Sequence, residues 1–201
     1  MMKFLFSALM FAALPAVAAT AVVGQPAPAF SVTDSSGKAV SLADFRGKTV
    51  VLEWVNPGCP YVRKHYDSAN MQGTQKSATD KGVVWLSVNS TAQGHSDYKK
   101  PADMAAWMQS QKAAATHTLM DSDGKIGKAY GARTTPHMYV VDAKGTLAYA
   151  GGIDDTPSAN PADVKTAKNH VNAALGDVLA GKPVAQATTR PYGCSVKYSD
   201  G

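Results

Sequence analysis

Apolar residues come in short unbroken runs separated by turn-forming clusters. Val50-Val51-Leu52 continues through Trp54 and Val55 with Glu53 as its polar exception, and Pro57-Gly58 ends it. Val83 to Val88 follows Gly82 in the same style. Runs of this length suit central strands buried on both faces, the usual state of parallel strands. Met138 to Val141 is a third run; Asp142-Ala143-Lys144-Gly145 then reads as a hairpin turn, and Thr146 to Ala150 as the return strand. Ala29–Val32 and Lys38–Leu42 fit a small hairpin, and Thr116–Met120 one more short strand. Between these lie helical segments with prolines at their starts: Pro60 to about Lys76, Pro101 to about Ala114, and Pro161 to about Ala180. In the last, Val164, Ala167, Val171, Ala174, Leu175 and Val178 recur at helical spacing. Lys125–Tyr130 is a short helix stopped by Gly131. This alternation predicts an α/β fold: a central mixed sheet flanked by helices, with Val50–Val55 and Val83–Val88 parallel and Met138–Val141 antiparallel to them.

The two ends read differently. Residues 1–19 carry a single charge, Lys3, then an apolar stretch too short to span a bilayer, then Ala16-Val17-Ala18-Ala19. That is the layout of a secretory signal peptide, so the mature chain is expected in the periplasm or secreted, with no membrane attachment after cleavage. Residues 20–183 form the expected domain. Residues 184–201 are a tail with no clear period, carrying Cys194. A formal net charge of +5 without a basic run longer than Lys99-Lys100 gives no indication of nucleic-acid binding. Two cysteines exclude a four-cysteine zinc site and a cysteine-rich scaffold. In an oxidising compartment, Cys59 and Cys194 can be a staple or a redox pair.

Leu52-Glu53-Trp54 leads into Asn56-Pro57-Gly58-Cys59-Pro60-Tyr61-Val62, and far downstream stands Thr134-Thr135-Pro136-His137. With Gly24-Gln25-Pro26-Ala27-Pro28 and Arg46-Gly47-Lys48, these segments resemble the thioredoxin-like superfamily, in particular the peroxiredoxin-like redoxins related to alkyl hydroperoxide reductases and thiol-specific antioxidants. The resemblance implies a reactive Cys59 after the first central strand, faced by a cis Pro136. Thioredoxins carry a second cysteine three residues on, where this chain has Val62. Peroxiredoxins carry a proline and a threonine or serine where this chain has Leu52 and Asn56. The motif is therefore a one-cysteine version, and Cys194, the other cysteine in the chain, is the expected partner.

On this reading Cys59 is the nucleophile of a thiol-disulfide oxidoreductase or peroxidase-like redoxin. Its thiolate is favoured by the helix N-terminus and by Arg63 and Lys64 in the first turn. Cys194 resolves. Pro60, Tyr61, Arg63, Thr135 and Pro136 line the substrate groove, the substrate being a thiol or disulfide protein or a peroxide, with an external reductant and no cofactor. Glu53 matches the buried acid of thioredoxins; alternatively it points outward or pairs with a lysine. Cys59, His65 and His137 match no metal motif by spacing, and no metal is assigned. The competing reading is a non-catalytic module that binds a partner, or copper or zinc, with Cys59–Cys194 a structural disulfide worth about 4–5 kcal/mol on the loop-entropy account.

Overall fold

The computed structural model describes residues 20–199; the segment read as a signal peptide lies outside them. A hairpin of β1 (Ser31–Thr33) and β2 (Ala39–Ser41) comes first. Then follow β3 (Val50–Trp54), α1 (Pro60–Asp67), α2 (Asn70–Thr79), β4 (Val84–Asn89), α3 (Pro101–Ser110), β5 (His117–Met120) and α4 (Lys125–Tyr130). The two-residue β6 (Thr134–Thr135), β7 (His137–Val141), β8 (Leu147–Gly151), α5 (His170–Leu179) and β9 (Cys194–Ser195) complete the order. The main sheet is five-stranded in the order β5-β4-β3-β7-β8. β3 runs parallel to β4 and antiparallel to β7, as the apolar runs predict.

Every residue of β3, β4 and β7 is buried, because both faces of the sheet are covered. Val51, Val55, Trp85 and Val140 pack under α1, α2, α3 and α5, through Val62, Met71, Met104 and Val171. Val50, Leu52, Trp54 and Leu86 face α4 and the N-terminal hairpin, through Ile126, Tyr130 and Val40. The α/β expectation holds, with most helices on one face. Among the described residues no helix is long and apolar enough to cross a membrane.

Two predicted helices are each interrupted. The one from Pro60 breaks after Asp67, where Ala69 takes a left-handed conformation with φ 59°. Alanine is not a residue that signals this conformation. The break frees the Tyr66 carbonyl for Ala69 N at 3.1 Å and Gln72 Nε2 at 2.9 Å, and places Asn70 Nδ2 2.8 Å from His65 Nδ1. The one from Pro161 is a 3-10 turn, Pro161–Lys165, followed by a new start at Asn169, whose Oδ1 accepts from Asn172 N at 2.8 Å. The apolar spacing of Val164 and Ala167 runs straight across this break. The third, from Pro101, is shorter than expected and ends at Ser110.

The tail is ordered by long-range contacts. Thr189 lies along the edge of β8, its hydroxyl bonded to the Tyr149 hydroxyl at 2.6 Å and accepting from Gly152 N at 3.0 Å. β9 pairs antiparallel with β6, Cys194 opposite Thr135. Val196 N then donates to Arg133 O at 3.0 Å, and the Tyr198 hydroxyl to Ala132 O at 2.8 Å. A Cβ at Gly151 would overlap the Thr189 hydroxyl, and one at Gly127 the Tyr198 hydroxyl, so the domain surface is cut back where the tail lies.

Candidate functional site

Cys59 is delivered by a turn that its neighbours hold rigidly. Asn56 Oδ1 accepts from Gly58 N at 2.9 Å, and Asn56 Nδ2 donates to Asp97 Oδ2 at 3.0 Å. Cys59 is then the N-cap of α1, in extended conformation, with its carbonyl accepting from Arg63 N at 3.0 Å. Its sulfur is bonded to Cys194 across a Cα–Cα distance of 5.9 Å, an ordinary disulfide span. The Thr135–Pro136 bond is cis, and the Thr135 carbonyl oxygen lies 3.0 Å from Cys59 Sγ. A disulfide sulfur has no proton to give; once reduced, the Cys59 thiol can donate to that oxygen.

Cys59 is 1% exposed, because the tail strand lies over it, whereas Cys194 is half-buried. Of the expected groove residues, Thr135 and Pro136 are buried beside the disulfide and Pro60 is exposed. Tyr61 is half-buried, its ring edge-on to Tyr192 at 5.9 Å. Arg63 is exposed and pairs with Asp67, Nε to Oδ2 3.8 Å.

Lys64 departs most from its expected role. Its side chain is fully buried, with Nζ 3.4 Å from Asp154 Oδ2, 2.7 Å from Thr156 O and 3.2 Å from the Tyr192 hydroxyl. Its charge is therefore compensated by Asp154 rather than offered to the sulfur. His65 is equally buried, and burial pushes it down to about 4, so its 3.9 Å approach to Asp154 is not an ion pair at neutral pH. Asn70 Nδ2–H donates to His65 Nδ1, so the neutral ring carries its proton on Nε2 and donates it to the Tyr192 hydroxyl at 3.1 Å. Tyr192 in turn donates to Asp154 Oδ1, and burial with that carboxylate drives its pKa upward. Asp154 and Tyr192 carry no periodic or motif signal in the sequence; only the fold brings them to α1.

Glu53 points inward. It is fully buried and accepts from Trp85 Nε1 at 2.7 Å, the Tyr66 hydroxyl at 2.9 Å, and Gln75 Nε2 and Ser87 Oγ at 3.0 Å. Neither an outward position nor a lysine partner is found, and none of these bonds goes to a cysteine. Burial raises its pKa despite the donors around it. His137 is buried in β7, where burial lowers its pKa to about 3. Its Nδ1 accepts from Arg133 N at 3.3 Å and lies 3.1 Å from the Tyr139 hydroxyl. The three residues Cys59, His65 and His137 are thus each committed elsewhere, and among the described residues no group of three or more His, Cys, Asp or Glu is placed to hold a metal ion.

Residues 23–150 match the model of the AhpC/TSA family; that span includes Cys59, Glu53 and Pro136, while Cys194 lies beyond it. The thiol-disulfide oxidoreductase ResA of Bacillus thuringiensis subsp. konkukian is 28% identical over 132 residues, which cover 62% of this chain and 66% of that protein's length. The thiol:disulfide interchange protein DsbE of Yersinia pestis is 26% identical over 147 residues, 70% of this chain and 71% of that one. Among solved structures, a hypothetical protein from Sinorhizobium meliloti 1021 superposes with a TM-score of 0.75 at 23% identity, covering 90% of this chain and 97% of its own. The thioredoxin domain of a thiol-disulfide oxidoreductase from Bacteroides vulgatus superposes with a TM-score of 0.51 at 28% identity, covering 65% of this chain and 89% of its own. The α/β fold is thioredoxin-like.

Proposed function

The chain belongs to the AhpC/TSA family, and on that premise we propose that it is an exported thiol-disulfide oxidoreductase in which Cys59 attacks and Cys194 resolves. The observation that carries this reading is the Cys59–Cys194 disulfide itself, which lies at a helix N-terminus beside the cis Pro136 and not at a remote staple point. In the reduced protein the Cys59 thiolate attacks a partner disulfide. A Cys59–partner S–S bond forms, the partner bond breaks, and its other sulfur leaves as thiolate. Cys194 thiolate, carried by β9, then attacks Cys59 Sγ; the internal disulfide forms and the partner's second thiolate departs. Two electrons pass to the partner, and an external thiol reductant restores the pair. The names of the ResA and DsbE relatives support this chemistry. The signal-like N-terminal sequence supports export, and the disulfide agrees with it because such bonds persist mainly in oxidising compartments, with residues 20–183 as the domain and 184–201 as the resolving tail.

Disulfide exchange is favoured over peroxide reduction by what surrounds the sulfur. The sulfur lies 3.0 Å from a carbonyl acceptor, Thr135 O, and the Asn56 amide is committed to Gly58 and Asp97. A peroxide needs donors at these positions. The test measures reduction of insulin disulfides and consumption of hydrogen peroxide by wild type, Cys59→Ser and Cys194→Ser. Wild type should reduce insulin in the presence of dithiothreitol and Cys59→Ser should not; Cys194→Ser should accumulate a mixed disulfide. A Cys59–Cys194 bond that stays oxidised down to about −300 mV would make it a staple and overturn the proposal.

A further inference from the structure

Tyr192 stands two residues before Cys194, and its hydroxyl enters a fully built polar socket. It accepts from Lys64 Nζ at 3.2 Å and from His65 Nε2 at 3.1 Å, and donates to Asp154 Oδ1. The side chains of Lys64, His65 and Asp154 are 0%, 0% and 2% exposed. Nζ of Lys64 also lies 5.3 Å from the centre of the Tyr192 ring. A phenol fits this set because its oxygen can accept twice and donate once; a phenyl ring fills the same volume and leaves His65 Nε2–H without a partner. Between socket and sulfur stands Gly193. Its φ is 133°, and a Cβ there would lie 2.8 Å from the Thr135 carbonyl carbon and overlap the carbonyl oxygen. The disulfide partner is thus held at three consecutive positions: a hydroxylated ring in the socket, glycine over the Thr135 carbonyl, and cysteine at the sulfur.

We infer that Lys64, His65 and Asp154 form a recognition subsite for a tyrosine two residues before the cysteine that bonds to Cys59, so that Tyr-Gly-Cys segments are the preferred exchange partners and the protein's own tail is the resident one. This rests on Cys59 being reactive, as proposed above. The subsite supplies selectivity, since a site built to bond a hydroxyl strongly rejects the analogue lacking it.

The test uses two full-length variants, Cys194→Ser and Tyr192→Ala/Cys194→Ser, each with Cys59 loaded as a mixed disulfide by reaction with dithionitrobenzoate. A peptide thiolate attacks Cys59 Sγ, the peptide–Cys59 bond forms, the Cys59–thionitrobenzoate bond breaks, and thionitrobenzoate leaves as a coloured thiolate, with no net oxidation. In the double variant the socket is vacant, and the peptide Tyr-Gly-Cys-Ser should release thionitrobenzoate at least about tenfold faster than Phe-Gly-Cys-Ser or Tyr-Ala-Cys-Ser. In Cys194→Ser the socket keeps its own Tyr192, and the tyrosine-over-phenylalanine gap should shrink. A general structural role for Tyr192 would not produce rescue by a hydroxyl supplied in trans. Equal rates for the tyrosine and phenylalanine peptides in the double variant overturn the subsite. Should that variant fail to fold, Tyr192→Phe in the otherwise wild-type chain decides: its Cys59–Cys194 bond should be at least about tenfold more easily reduced by glutathione, and an unchanged equilibrium overturns the inference. Failure of Cys59 to load at all counts against its reactivity, and so against the proposed function and this inference together.

Discussion

Replacing Glu53 by glutamine separates burial from hydrogen bonding in the sheet interior. Oε2 accepts from Trp85 Nε1, Gln75 Nε2 and Ser87 Oγ at 2.7, 3.0 and 3.0 Å, while Oε1 meets only the Tyr66 hydroxyl at 2.9 Å. That hydroxyl can reverse its role, since its other neighbours are Gln75 Nε2 at 3.1 Å and Met108 Sδ at 4.0 Å. A glutamine carbonyl therefore fits the Oε2 position, and its amide nitrogen can donate to Tyr66. Burial is the largest influence on the carboxyl and raises its pKa above 4.5. As pH rises past that value the unfolded chain releases the proton while the folded chain still holds it. The unfolded state then binds fewer protons, so stability is lost as pH rises until the folded pKa is passed. Within that window the loss is about 1.4 kcal/mol per pH unit, and glutamine, which does not titrate, escapes it. Urea unfolding of the oxidised proteins at rising pH from about 4.5 should show Glu53→Gln gaining on wild type with this slope until the folded pKa is passed. A difference that is flat, or that moves against the variant, would mean the four donors hold the carboxylate ionised and would refute the reasoning. Glu53→Leu strands those donors at every pH and should cost about 1–3 kcal/mol for each donor left unpaired.

The buried histidine of β7 gives the opposite sign: its folded pKa is about 3, so the stability tied to its neutral form is present above about pH 6.5 and is lost as pH falls toward 3, at about 1.4 kcal/mol per unit. Wild type should therefore lose ground to His137→Gln across that range in acid unfolding, and a pH-independent difference would count against it. Gly193→Ala places a Cβ against the Thr135 carbonyl at a positive φ; the Cys59–Cys194 bond should become at least about tenfold easier to reduce in a glutathione equilibrium, and an unaltered ratio would show that the tail can shift to admit it.

The sequence alone was enough for the elements whose burial is written into consecutive residues. Val50–Trp54, Val84–Asn89 and His137–Val141 are legible because a strand covered on both faces must be apolar at nearly every position. Glu53, the acidic residue among them, was legible as an anomaly but not in its partners, since Tyr66, Gln75, Trp85 and Ser87 are spread over α1, α2 and β4. Lys125–Tyr130 is legible because its start and stop are local, with Asp121 accepting from Ile126 N and Gly127 N and with Gly131 ending it. Cys59 and Pro136 could be read from the resemblance of their segments to thioredoxin-like proteins. What tertiary structure decided is whatever depends on residues far apart in the chain. Nothing near Ser68–Ala69 announces a helix break; the turn is stabilised by the seating of Asn70 on His65. Lys64 reads as a first-turn cation until Asp154 neutralises it from across the domain. The tail has no period because its order is borrowed: a two-residue strand is held by its pairing to Thr134–Thr135, and Thr189, Tyr192 and Tyr198 by places the domain provides. Local patterns record how a segment meets solvent and core on average, whereas a socket for one hydroxyl exists only once α1, the loop at Asp154 and the tail have come together.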